Sequence, residues 1–188
     1  MDETQREEIA RLTEEYGGAW GVCHTRRLLH LIEIIGAGLD YDRDVVWLAA
    51  HLHDWGGYAP WAQEGVDHAV RSRQVAEAYL AEHGFPQATS GRVLDCVAFH
   101  HQAGADRPIE ALLLRDADAL DFLGVVGVLR DFSKNPKDMR KACETARKRR
   151  EKLPGILCLE KSRSLAAERV AQMDELLASF ERDTWGNF

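Results

Sequence analysis

The chain has 188 residues, of which 45% are hydrophobic and 29% charged, with a net charge of −7. That length and mixture suit one globular domain with a full core and exclude a disordered or collagen-like chain. The acidic balance argues against general affinity for nucleic acid or anionic membrane. The four cysteines, Cys23, Cys96, Cys143 and Cys158, form no CxxC pair. This points to reduced thiols in the cytoplasm and away from a disulfide framework or zinc finger. The opening MDETQREEIARLTEEYGG is acidic and polar, unlike a secretory leader, and no run of about 18 apolar residues offers a membrane span.

Apolar residues recur at three and four, so the expected fold class is all-α. Residues 3–16 predict a short polar helix stopped by Gly17 and Gly18. A second helix over 20–37 aligns Leu28, Leu31, Ile32 and Ile35. Residues 43–54, RDVVWLAAHLHD, are apolar nearly all round, as for a central buried helix. Helices follow over 66–83, closed by Gly84-Phe85-Pro86, over 88–102, and from Pro108 through PIEALLLRDADALDFLG. A short helix near 125–133 precedes a charged one broken at Leu153-Pro154-Gly155, and an amphipathic helix spans about 162–182. The tail RDTWGNF carries no pattern that anchors it. No linker separates two domains, so a core over about 20–133 with C-terminal helices over about 135–182 packed on it makes one domain.

Histidines and carboxylates fall on the apolar faces, where burial is costly unless they are paired or bind metal. His24 shares the stripe of Leu28, Leu31 and Ile35; His53 follows Ala49 and Ala50, with Asp54 at the helix end. His68 heads a face with Ser72, Val75 and Tyr79, and His100 and His101 trail Val93, Val97 and Leu94. Asp118 follows Ala111 and Leu114 and precedes Phe122. Any one of these is ordinarily a satisfied core residue or a helix cap. The ordered set is what points to a metal: nitrogen and oxygen donors without thiolates suit Mn, Fe, Co, Ni or Zn.

In that order the chain resembles the HD-domain superfamily, small bacterial single-domain type. The pattern H…HD…D matches His24, His53-Asp54 and Asp118. HTRRLLHL is similar to an H-x-x-R helix, LAAHLHDWG to an A-x-L-H-D-φ-G signature, and LLLRDADALDFLG to a D-A-D-x-L-D-x-x-G segment. The resemblance implies a helical bundle holding a divalent metal through His24, His53, Asp54 and Asp118. His68, His100 and His101 are the candidates for a second ion bridged by Asp54, or for contacts to substrate phosphate. HDWGGYAPW lacks the following lysine, and HHQAGAD the GYP segment, of families that hydrolyse cyclic dinucleotides.

The expected activity is hydrolysis of a phosphate monoester or nucleotide phosphoanhydride by a metal-activated water. Arg27, one turn from His24, is the first candidate to meet phosphate, with Arg115 and Arg130 behind it. Asp54, Arg27, His100 and His101 form the candidate catalytic set, with Asp121 a further candidate acid. The expected partner is a small phosphorylated molecule, a nucleotide first, and not nucleic acid or membrane; a homodimer stays open. Two alternatives remain: an HD-type di-iron oxygenase and a non-catalytic nucleotide or metal sensor. The basic run RKACETARKRREK reads as a solvated helix with Glu144 and Glu151 as partners. Trp47, Trp55, Tyr58 and Trp61 surround the HD pair, and loop 55–66 is the expected lid.

Overall fold

Aspartates start four of the α-helices. In the computed structural model, which describes residues 1–102 and 104–188, Asp2, Asp42, Asp67 and Asp138 each accept backbone N–H groups at a first turn. A cap of this kind stabilises a helix by about 1 kcal/mol. The elements are α1 (Glu3–Ile35), α2 (Arg43–Leu52), α3 (His68–Glu82), α4 (Gln87–Phe99), α5 (Ile109–Asp121), α6 (Gly124–Lys134), α7 (Met139–Lys152) and α8 (Glu160–Thr184). Short 3-10 turns lie at Trp55–Gly57 and Leu153–Ile156, and no strand occurs among the described residues. The expected all-α class is what the chain adopts. None of the helices is long and apolar enough to cross a membrane.

The chain groups into two compact units, Met1–Arg115 and Asp116–Phe188, with the boundary inside α5. In the first, α2 packs against α1, α3 and α4 and buries Val45, Val46, Leu48, Ala49, Ala50 and Leu52. This is the central helix expected from its all-round apolar sequence. The two helices expected over 3–16 and 20–37 are the limbs of α1, bent at Gly18, whose φ of 58° and ψ of −164° suit glycine alone. Buried Glu110 accepts from the Asp42 N–H at 3.0 Å and from Arg92 at 2.8 Å, tying the starts of α2 and α5 to α4.

Loop 55–66 departs from the lid expectation. Trp55 is fully buried, donates to the Thr13 hydroxyl at 3.0 Å and stacks on Trp61 with ring centroids 4.6 Å apart. Tyr58 seats against α1, where a Cβ at Gly21 would stand 2.5 Å from its Oη. Trp55 is core, because it follows the end of α2 closely and has an apolar wall and a hydroxyl to meet, and Tyr58 and Trp61 are half-buried. Gly56 is likewise a packing residue: a Cβ there would lie 2.2 Å from the Ser72 nitrogen and 2.6 Å from the Arg71 carbonyl carbon.

In the second unit α6 packs on α7 and α8. Its charged face is turned inward. Arg130 and Asp131 are buried while Val125, Val126 and Leu129 are exposed, because Arg130 pairs with Asp121 and Arg149 with Asp131. The basic run of α7 is partnered, as expected, but by Asp131, Asp174 and Glu181 on other helices rather than by its own glutamates. The C-terminal tail is anchored where no anchor was expected: Phe188 packs its ring on Phe180, 4.9 Å between centroids.

Replacing Gly56 by alanine forces the HD turn away from α3 and is expected to cost about 1–3 kcal/mol. Gly57→Ala, whose Cβ would meet nothing nearer than 3.9 Å, is the neutral control. Urea unfolding of the two variants checks the contrast.

Candidate metal centre

Five of the six ligand-type residues of the first unit sit at or beside helix ends. His53 is the C-cap of α2 with Asp54 next; His68 opens α3; His100 is the C-cap of α4 with His101 next. His24 lies on the second limb of α1. A helix end leaves carbonyls without an intrahelical partner, and the chain uses them to orient imidazoles. His53 Nδ1 lies 2.9 Å from the Ala50 carbonyl and His100 Nδ1 2.6 Å from that of Val97. A carbonyl only accepts, so Nδ1 carries the hydrogen in both rings, and Nε2 of the neutral ring bears the lone pair. This is how metal-binding imidazoles are held.

The structure brings together the six first-unit residues picked from the sequence as ligands. His24 Nε2 stands 3.3 Å from His53 Nε2, and both face Asp54 Oδ2, at 3.8 and 3.5 Å. The other oxygen of Asp54, Oδ1, lies 3.8 Å from His68 Nε2. His68 Nε2 is in turn 2.8 Å from His101 Nε2, and His68, His100 and His101 offer ligand nitrogens all within 4.8 Å of one another. His53 Nε2, left free to accept by the Nδ1 bond, thus lies between an imidazole nitrogen and a carboxylate oxygen. Nitrogen and oxygen donors gathered this closely fit a divalent metal. His24, His53 and His100 are buried, His68 is partly exposed and His101 exposed, so the cluster opens to solvent at its His68–His101 end.

The arginines and other aspartates divide by role. Arg27 is part-exposed on α1, one turn from His24. Arg115 is buried and gives Nη1 to the carbonyls of Gln102 and Gly104, at 3.1 and 2.8 Å, so that donor is committed to backbone rather than phosphate. In the second unit Arg130 is engaged with Asp121 and lies over the Phe122 ring at 4.1 Å, a structural pair rather than a phosphate contact or an acid. Asp116 accepts the N–H groups of Cys158 and Leu159, at 3.0 and 2.8 Å, ahead of α8. Asp118 is buried on α5. Sequence spacing alone did not separate these aspartates, because their partners lie far along the chain.

The site is thus a histidine-carboxylate centre assembled at helix ends in an all-α protein. The HD domain family model matches residues 21–123, more than half of the chain, and the protein belongs to that family. Bacillus subtilis YpgQ, solved in complex with ADP, is 22% identical and superposes with a TM-score of 0.72 over 94% of this chain and 96% of its own. A predicted HD superfamily hydrolase from an uncultured Thermotogales bacterium is 24% identical, TM-score 0.69, covering 99% and 100%. An HD-superfamily hydrolase from Bacillus thuringiensis is 18% identical, TM-score 0.73, covering 98% of each chain. At these identities the likeness speaks to the fold. No curated protein sequence matches the chain.

One histidine of the HD segment stays outside the cluster. His51 is stacked on Trp47, 3.8 Å between centroids, with Nδ1 2.9 Å from the Trp47 carbonyl. Burial pushes its pKa down to about 4 from the usual 6.5. The folded value lies below the unfolded one, so the unfolded chain takes up the proton first and stability falls as pH drops from about 6.5 to about 4. His51→Gln is expected to lose less stability than the wild type across that window, as measured by urea unfolding of the metal-free protein.

Proposed function

We propose that the protein is a metal-dependent phosphohydrolase acting on a small phosphorylated substrate, with a nucleotide phosphoanhydride or monoester as the substrate class. The observation that carries this reading is the orientation of Asp54. One oxygen faces His24 and His53 and the other faces His68, as a carboxylate shared by two cations requires. His24, His53, Asp54 and, by the HD pattern, Asp118 would hold one ion, and Asp54, His68, His100 and His101 a second. Such ions would supply Lewis acidity and a bound water acidified from about 15.7 towards 7.

The chain's own groups supply the rest. The Nδ1 locks on His53 and His100 fix ring orientation in advance, so nothing has to reorganise when substrate arrives. Arg27 offers a cation for the phosphoryl oxygens. The exposed His68–His101 end gives the substrate its approach, while the buried His24–His53 end excludes solvent. That a structural relative was solved with ADP supports placing nucleotides first among substrates to test.

The test strips the purified protein with chelator and restores Mn, Fe, Co, Ni or Zn singly against nucleotides and simple phosphate monoesters. Metal-restored release of phosphate or pyrophosphate is expected, with Asp54→Asn lowering the rate by about 100-fold or more. No turnover with any metal, or two irons per chain with oxygen uptake, overturns it and favours the sensor or the oxygenase respectively.

A further inference from the structure

We infer that Arg115 is the positioning residue for His100 and His101, a strut that holds the outer half of the metal centre in shape. This rests on the assignment of His68, His100 and His101 as ligands. Those two histidines follow α4, which ends at Phe99, and no helix covers the described residues 100–102 and 104–108. A ligand pair at such a place needs its backbone fixed from outside. Gln102 supplies part of this, its N–H reaching the Phe99 carbonyl at 2.9 Å and its side-chain amide the Ala98 carbonyl at 3.0 Å. These bonds tie the turn only to its own helix.

Arg115 ties it to α5. Its guanidinium, 2% exposed, donates through one nitrogen to the carbonyls of Gln102 and Gly104, bracketing the turn from a different element. A cation also suits this place electrostatically, because the last carbonyls of α4 carry the negative end of the helix dipole. Gly104 complements the clamp: its φ of 126° presents its carbonyl in a conformation that side chains disfavour. Arg115 stands one helical turn before Asp118, the ligand proposed on α5. One helix therefore carries both the proposed inner ligand and the strut for the outer histidines.

The strut and the metal assignment are separated by using two readouts on the full-length protein. Hydrogen exchange of the metal-free protein reads the turn directly. Arg115→Met is expected to speed exchange in peptides covering residues 99–107 by about tenfold, leaving α1 to α3 unchanged. Titration with Mn(II) reads the ions: the outer class of site is expected to weaken by about tenfold and the inner class to hold. Arg115→Lys, which keeps a charge but not the planar fork, is expected to recover part of the exchange protection. Gly104→Ala reaches the turn without touching Arg115 and is expected to give the same selective pattern, so it carries the test if Arg115→Met fails to fold. Unchanged exchange, or equal weakening of both ion classes, overturns the strut. A wild type that takes only one ion overturns the binuclear assignment, while the exchange result still decides Arg115.

Discussion

The first unit's interior depends on a gathering of ligand atoms: His53 Nε2 stands 3.3 Å from His24 Nε2 and 3.5 Å from Asp54 Oδ2. Imidazole nitrogens and a carboxylate brought this close are a donor set that suits a divalent cation. The His53 ring is fixed in its orientation there, because its Nδ1 is held by the Ala50 carbonyl. The backbone behind Asp54 is held as firmly, by Trp55 in the core and Gly56 against α3. The fold itself thus holds this donor set in shape.

Charge is handled by pairing in the second unit. There Asp121 meets Arg130, Asp131 meets Arg149, and Asp116 meets the backbone N–H groups ahead of α8. Burial pushes the carboxyl of Asp131 upward while Arg149 and its neighbours oppose the shift, a balance that pairing makes tolerable. Within 116–131 the same residue type thus serves a helix start and two ion pairs, besides the ligand proposed at Asp118. What distinguishes the cases is the partner.

That explains which parts were legible in sequence. Helices were readable because Gly, Pro and the three-four rhythm are local, and the structure follows them closely, down to the bend at Gly18. The histidines were readable because their order and context match a family pattern, and six ligand-type residues of the first unit do converge. The roles of Arg115, Arg130, Asp116 and Asp121 were not readable, since each depends on a group 9 to 43 positions away. Trp55 misled for a related reason: beside two glycines it resembles a mobile aromatic, and only the hydroxyl of Thr13, 42 positions earlier, makes it core. The inward charge of α6 lay beyond periodicity altogether, because an apolar stripe ordinarily faces the core.

The turn at Gly56 has a consequence for how this architecture can diversify. Two backbones touch there with room for a hydrogen and nothing more, so the reach from Asp54 to His68 is set like the span of a fixed caliper. A descendant that came to handle a bulkier or smaller molecule has no freedom to retune that gap. Its innovations would have to accumulate at the mouth, around His101 and the exposed residues 104–108, leaving the interior machinery as an inherited constant.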